Sequence, residues 1–187
     1  MSARRQRQMC IRDRPNPHAW ISPKRGMIYV DIIVDSLSEL KPSKAKSFKN
    51  NGQIYKNKIA KLDKDFSLFI NNLEKNNRYL VTCEGAFSYL TNDYGLKEAY
   101  LWPVNAESQI TPKRMARTIS LVKNKNIPSV FCESTVSNES QMVVASETGA
   151  KFGGDLFVDS LSQDNESANT YLKMLQHNLT LIKKGLN

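Results

Sequence analysis

The sequence lacks long apolar runs and contains few histidines and cysteines. No stretch of about 18 apolar residues occurs among its 187 residues, which predicts that no helix spans a membrane. The N-terminus is basic enough for a secretory signal, but no hydrophobic segment follows it, so we expect no signal peptide. With 40% hydrophobic and 24% charged residues, the composition is typical of a globular protein with one large or two small domains.

The excess positive charge is spread along the chain. The formal net charge is +9, and residues 1–14 supply +4 of it through five arginines and one aspartate. The remaining positive charge lies on solvated faces of lysine-rich helices. A nucleic-acid-binding protein would concentrate its charge in one element beside stacking aromatic residues. The sequence therefore argues against a nucleic-acid partner.

The first 14 residues differ from the rest of the chain. They show no periodicity, no helix cap and no apolar face, and patterned sequence begins abruptly at Pro15. We interpret residues 1–14 as a leader that is not native to the protein, and we exclude them from the predicted fold.

Two of the three cysteines end apolar, strand-like runs. Cys83 and Cys132 each stand directly before a glutamate, whereas Cys10 lies in the leader. We interpret Cys83 and Cys132 as small buried hydrophobic residues. A disulfide between them requires that their strands be adjacent, and thiolate metal ligation lacks the paired spacing of zinc sites.

Two helices are predicted before residue 75. Ser22-Pro23 is a typical helix start, and apolar residues continue to about Leu40, where Lys41-Pro42-Ser43 breaks the pattern. A second apolar stripe runs from Ser43 to about Leu73 with spacings of three, four and seven residues. A helix of this length spans about 45 Å. It either lies along a core or forms a stiff link between two lobes.

Strand-like and helical segments alternate after Arg78. The strand-like runs are Tyr79–Cys83, Ala99–Trp102, Ser129–Cys132 and Lys151–Val158, and the helical patterns cover about 85–94, 112–125, 138–148 and 167–184. This alternation with short connections predicts an α/β lobe with a four-stranded, mainly parallel sheet flanked by helices. Ligands of such sheets bind outside the carboxyl ends of the strands.

Three side chains are candidate metal ligands. Glu84 directly follows one predicted strand, Asp159 directly follows another, and His18 precedes the first helix. Glu133 ends a third strand and competes for the same role, whereas His177 lies within a helical pattern and is given none. One imidazole and two carboxylates suit a divalent cation of intermediate hardness. A fourth ligand is not visible.

These residues lie in segments that closely resemble one protein family. The segments are NPHAWISPKRGMIYV, LVTCEGAFSYLTNDYGLKEAYLWPVNAESQITP, PSVFCESTVS and ETGAKFGGDLFVDSLS. They are similar to the C-terminal two-thirds of solute-binding proteins of ATP-binding-cassette (ABC) transporters for manganese, iron and zinc. The resemblance implies an ion bound between two lobes joined by a long helix, with the N-terminal lobe largely missing from this sequence.

The resemblance also implies a ligand set. In the manganese/iron branch the ligands are two histidines, a glutamate and an aspartate, and the matching positions here are His18, Glu84 and Asp159. The other histidine belongs to the N-terminal lobe. Asn16 stands where the family usually has aspartate, which we expect to weaken orientation of the imidazole. The zinc-dedicated branch resembles a three-histidine site with a histidine-rich loop, and a chain with two histidines does not fit it.

The resemblance further implies a domain plan and a function. Residues 15–41 would be a remnant of the N-terminal lobe, 42–76 the linking helix and 77–187 the C-terminal α/β lobe. The expected function is capture of Mn²⁺ or Fe²⁺, with Zn²⁺ also admitted, and delivery to a membrane permease. We expect a monomer, periplasmic or anchored outside the cytoplasmic membrane, and no enzymatic activity.

Two other functions stay open. The chain is alternatively a truncated fragment that folds without binding metal tightly. Less favoured is a metal-dependent hydrolase that uses the same three ligands plus a bound water. No general base accompanies the ligands in a recognisable motif, which argues against the hydrolase.

Overall fold

A computed structural model describes residues 16–106 and 110–187 of the chain. Our interpretation of residues 1–14 as a leader lies outside the described residues. Among the described residues, no helix combines the length and the apolar character needed to cross a bilayer.

The first part of the structure is a pair of long helices. A 3-10 turn at Ala19–Ile21 leads into α1 (Pro23–Leu40), and a second 3-10 turn at Pro42–Lys44 leads into α2 (Ala45–Asn72). The predicted break between the helices is therefore a single turn. Helix α2 has 28 residues and is about 42 Å long. The two helices approach closely at Gly52, where an added Cβ would lie 2.4 Å from Val34 Cγ2.

One face of α1 is apolar and exposed. Its large side chains are between 39% and 82% accessible, and they are Ile28, Tyr29, Ile32, Ile33, Leu37 and Leu40. A contiguous apolar patch on a helix is usually covered by further protein. This face has no partner among the described residues.

The second part alternates strands and helices as predicted. The strands are β1 (Tyr79–Glu84), β2 (Lys97–Trp102), β3 (Ser129–Glu133) and β4 (Lys151–Leu156), and the helices are α3 (Ser88–Tyr94), α4 (Pro112–Lys125), α5 (Glu139–Thr148) and α6 (Tyr171–Leu186). Both strand pairs are parallel. The predicted α/β class with a parallel sheet and flanking helices is confirmed.

The sheet is divided in the middle, which the sequence did not indicate. Strand β1 pairs with β2 and β3 pairs with β4, giving two two-stranded sheets instead of one four-stranded sheet. Strands β1 and β3 still lie side by side, because the Cα atoms of Cys83 and Cys132 are 4.8 Å apart, the usual spacing of neighbouring strands.

Between β1 and β3, backbone groups that face each other form hydrogen bonds with side chains instead of with the neighbouring strand. The Nε2 of Gln141, a buried residue of α5, donates to Val81 O at 3.2 Å and to Phe131 O at 2.8 Å. The order of the strands is therefore β2-β1-β3-β4, with the central ladder replaced by side-chain bonds.

A disulfide joins the two central strands. It links Cys83 in β1 to Cys132 in β3. Our interpretation of these cysteines as free buried thiols was wrong, because β1 and β3 are adjacent and bring the two sulfurs together. The bridge lies directly before Glu84 and Glu133, so it fixes the two strand ends to each other.

The main hydrophobic core is shared between the long helix and the strands. Phe66 and Ile70 of α2 pack with Leu80, Phe87 and Ile182 in one buried cluster. Burying large apolar side chains of this kind contributes about 1.5–3 kcal/mol each. The domain boundaries at residues 41 and 76 stay a prediction, and α2 belongs structurally to the core of the α/β part.

Candidate metal centre

His18 lies at the start of the described chain and is held against the α/β part. Its side chain is only 3% exposed. Trp20, two residues further along the chain, donates from Nε1 to Val158 O at 3.1 Å. The carbonyl oxygen of Trp20 accepts from the Tyr171 hydroxyl at 2.6 Å. These bonds fix the turn that carries the imidazole beside the segment that follows β4.

The start of α1 is anchored to α3. Ser22 Oγ donates to Asp93 Oδ2 at 2.7 Å, and Arg25 binds both carboxylate oxygens of Asp93 through Nε and Nη2, each at 3.0 Å. A two-point guanidinium–carboxylate pair is geometrically specific. The chain that directly follows the His18 turn is therefore fixed to α3.

His18 and Asp159, two of the three predicted ligands, lie close together. His18 Nε2 lies 3.4 Å from Asp159 Oδ1, and the Asp159 side chain is 48% exposed. Two ligand atoms that each lie about 2.1 Å from a tetrahedral ion are separated by about 3.4 Å. The pair thus presents a nitrogen and an oxygen at a spacing suited to a shared cation, with one side open to solvent.

An open depression lies beside this pair. It has a volume of about 410 Å³, and Asp159, Trp20, Leu161 and Met174 are among the residues that line it. Apart from Asp159 and Ser160, the side chains that line the depression are apolar or aromatic.

Glu84 does not join the pair in this structure. Its carboxylate Oε1 accepts from the backbone N–H of Asn105 at 2.6 Å, and the residue is 6% exposed. Asn105 lies in the loop after β2 and has a left-handed backbone with φ of 55°. No ion pair or hydrogen bond links Glu84 to His18 or Asp159 within residues 16–106 and 110–187.

The described residues contain one tight group of three potential ligand side chains, and it is not the predicted one. The ligand atoms of Cys83, Cys132 and Glu133 lie within 4.8 Å of one another. Both sulfurs are joined in the disulfide. A disulfide sulfur is not the thiolate that binds metals, so this group is not a metal centre in the present state.

Glu133 is a buried carboxyl group with an unusual environment. It is 1% exposed, its Oε2 accepts from the backbone N–H of Glu84 at 3.0 Å, and its Oε1 has no partner. Burial raises the pKa of Glu133 to about 8, against the opposing effect of its hydrogen bonds. Glu133 is therefore mainly uncharged at neutral pH and supports the strand end that carries Glu84.

Replacing Glu133 by glutamine should flatten the pH dependence of stability. In the wild type, the folded carboxyl keeps its proton up to about pH 8, whereas the unfolded one loses it near 4.5. The folded state then binds more protons in this interval, so the free energy of unfolding falls as pH rises, by at most about 1.4 kcal/mol per pH unit. Urea unfolding of metal-free protein at pH 5 and pH 8 measures this.

Glu139→Gln provides the control for that experiment, because Glu139 is exposed at the start of α5. The control should keep the wild-type slope. A Glu133→Gln variant with the same slope as the wild type would show that Glu133 is not protonated in the folded protein.

The sequence signalled some of these residues and missed others. The Asn16–His18 spacing is typical of a turn in which an asparagine side chain bonds the backbone two residues on, and Asn16 Oδ1 does accept from the His18 N–H at 3.0 Å. It also accepts from His18 Nδ1 at 2.8 Å. Asn16 thus holds the imidazole through a neutral acceptor, and the expected weakening relative to aspartate stays a prediction. Nothing in the sequence indicated that Asn105 binds Glu84.

The fold is thus an α/β lobe in which a buried imidazole faces a carboxylate three residues beyond the end of β4. The chain belongs to the family described as ZnuA, zinc-uptake complex component A, periplasmic, whose sequence pattern matches residues 3–185. The resemblance found in the sequence is thus confirmed.

The relatives are metal-binding transport proteins. The iron-binding protein YfeA of Yersinia pestis is 43% identical over 170 residues, covering 91% of this chain and 55% of YfeA. The manganese ABC transporter substrate-binding lipoprotein PsaA of Streptococcus pneumoniae is 30% identical over 174 residues, covering 93% of this chain and 56% of PsaA. The chain spans a little over half the length of these relatives.

Solved structures agree with this assignment. A manganese-bound mutant of a periplasmic metal-binding protein from Candidatus Liberibacter asiaticus is 40% identical with a TM-score of 0.87, covering 92% of this chain and 64% of that one. The periplasmic zinc-binding protein TroA of Treponema pallidum is 27% identical with a TM-score of 0.82, covering 91% and 64%.

Proposed function

We propose that this chain captures a divalent metal ion, Mn²⁺ or Fe²⁺ with Zn²⁺ also admitted, for delivery to a membrane permease. The observation that carries the proposal is the 3.4 Å approach of His18 Nε2 to Asp159 Oδ1. Imidazole nitrogen combined with carboxylate oxygen suits these ions, and geometry decides among them more than intrinsic affinity. The ion is cargo and not a resident cofactor, and we assign no catalytic activity.

Glu84 is the third proposed ligand. It ends β1, and its carboxylate is held by a single loop N–H from Asn105. We propose that this bond is exchanged for a bond to the metal ion, because a charged carboxylate oxygen is a good ligand for a hard ion. His18, Glu84 and Asp159 together supply three ligands and leave at least one coordination position to water.

The setting outside the cytoplasm is part of the same proposal. YfeA, PsaA and TroA are named as binding proteins, with PsaA a lipoprotein and TroA periplasmic. The disulfide between Cys83 and Cys132 supports such a location, because disulfides persist mainly in oxidising compartments. We propose that the chain acts there as a monomer with a permease as its partner.

A fold that no longer holds a metal ion tightly enough to capture it is the second candidate. Three observations favour it. Glu84 is engaged with Asn105 and not with the His18–Asp159 pair, and the apolar face of α1 is uncovered among the described residues. Asp159 is also half exposed, so solvent competes with an ion at that ligand.

Side-by-side titration with Mn²⁺ tests the two candidates. We expect this chain to bind one Mn²⁺ ion, at least about 10-fold more weakly than YfeA does. Loss of one residue that supports a metal ligand already weakens binding by about 10- to 100-fold. Affinity equal to that of YfeA would contradict weakening by the open site. Absence of binding would reject metal capture and leave the second candidate. Mn²⁺-dependent turnover of a simple ester would instead revive the hydrolase.

A further inference from the structure

Asn16 makes a complete set of hydrogen bonds around the candidate ligand. Its Oδ1 accepts from His18 N at 3.0 Å and faces His18 Nδ1 at 2.8 Å, and its Nδ2 donates to Gly85 O at 2.7 Å and to Ser88 Oγ at 3.2 Å. A side-chain amide offers two donor and two acceptor sites. All four are used here.

The orientation of the Asn16 amide follows from these partners. The Gly85 carbonyl only accepts, so the amide atom facing it must be the nitrogen. The His18 backbone N–H only donates, so the atom facing it must be the oxygen. Both contacts require the same orientation. The oxygen therefore faces Nδ1 of the ring, and Nδ1 must carry the proton.

We infer that Asn16 is a positioning residue that holds His18 as the Nδ1–H tautomer and leaves the Nε2 lone pair open to a cation. Nε2 then faces Asp159 Oδ1 at 3.4 Å with no proton between them. A lone pair and a carboxylate oxygen that face each other attract a cation into the gap. The metal-binding half of this inference rests on the proposed function, whereas the tautomer does not.

Asn16 also links the His18 turn to the loop that follows Glu84. Gly85 is the next residue after Glu84, and Ser88 donates on to Glu98 Oε2 at 2.7 Å. An aspartate at position 16 would still accept from the ring but would have no hydrogen to donate to Gly85 O. The asparagine thus connects His18 to the residue that directly follows Glu84.

The second histidine of the chain provides an internal reference. His177 Nε2 lies 3.3 Å from Asp155 O, which only accepts, and its Nδ1 lies 3.1 Å from Ser167 Oγ. His177 must therefore carry its proton on Nε2. The two histidines of this protein are expected in opposite tautomers.

Nitrogen-15 NMR of the imidazole rings tests this directly. The full chain is labelled at histidine and measured with chelator at about pH 8.5, where an ordinary imidazole with a pKa of about 6.5 is neutral. We expect His18 as Nδ1–H and His177 as Nε2–H. His18 as Nε2–H would overturn the inference, whether or not the protein binds metal.

Three variants separate positioning from folding. Asn16→Ala should give His18 a mixed tautomer, and Asn16→Asp should restore Nδ1–H because it keeps the acceptor oxygen. Asn57→Ala makes the same change on the exposed face of α2 and should leave the His18 tautomer unchanged. A His18 signal that is unchanged in Asn16→Ala would overturn the inference.

Mn²⁺ titration of the same proteins tests the consequence for binding. Asn16→Ala should weaken Mn²⁺ binding about 10- to 100-fold, the range seen when a supporting bond to a metal-ligating histidine is lost, while Asn57→Ala binds like the wild type. Equal affinities for Asn16→Ala and wild type would overturn positioning. If the wild type binds no Mn²⁺, the proposed function fails, and the NMR result still decides the tautomer.

Discussion

Replacement of Asp159 by alanine is expected to weaken Mn²⁺ binding more than about 100-fold, beyond the range for loss of a supporting residue. The change removes the charged oxygen that faces His18 Nε2 at 3.4 Å. The fold should remain intact, because the Asp159 side chain is 48% exposed and its removal opens no cavity. Titration calorimetry measures the affinity, and urea unfolding confirms the stability.

Asp164→Ala is the matched control, since Asp164 is an exposed carboxylate in the same segment. It should bind Mn²⁺ like the wild type. Glu84→Gln should weaken binding in the same direction as Asp159→Ala, while its amide oxygen can still accept from Asn105 N–H. Equal affinities for Asp159→Ala and Asp164→Ala would show that Asp159 is not a ligand.

Removal of the disulfide by replacing Cys83 and Cys132 together with alanine should lower the free energy of unfolding by about 4 kcal/mol. The two cysteines are separated by 49 residues, and closing a loop of that length restricts the unfolded chain by about this amount. The loss is large compared with the total stability of a typical domain, about 5–15 kcal/mol. Urea unfolding of the oxidised wild type and the double variant measures it.

The wild type in excess dithiothreitol serves as the comparison for the disulfide experiment. Reduced wild type and the double variant should unfold at similar urea concentrations, because both lack the cross-link between β1 and β3. A loss below about 1 kcal/mol in the double variant would mean that the bridge does not restrict the unfolded chain as expected.

Periodicity and strand ends were readable from the sequence because both depend on local pattern. The apolar stripe from Ser43 to about Leu73 predicted α2, which runs from Ala45 to Asn72. The apolar run before Glu84 predicted a strand, and β1 ends at that residue. Elements with a strong local signal are thus recovered within a few residues.

Relations between distant segments could not be read in the same way. The disulfide depends on β1 and β3 being neighbours, and strand order is a tertiary property. The divided sheet depends on Gln141, which reaches from α5 to carbonyl groups of both strands. A glutamine in a helix gives no local sign of that role.

The candidate site shows the same division between local and distant information. His18 and Asp159, two of the three predicted ligands, lie 3.4 Å apart, and their role as ligands stays a prediction. Glu84 was placed correctly at a strand end, but its bond to Asn105 arises from a left-handed loop residue after β2. Its role as a ligand remains a proposal.

The most direct test of the central claim is electron spin echo spectroscopy of Mn²⁺ bound to the full chain, compared with its His18→Ala variant. We expect modulation from one directly bound imidazole nitrogen in the wild type and none in the variant, because His18 Nε2 is the proposed nitrogen ligand. His177→Ala should keep the wild-type signal. Nitrogen modulation that persists in His18→Ala, or bound Mn²⁺ without any nitrogen ligand in the wild type, would contradict the proposed metal centre.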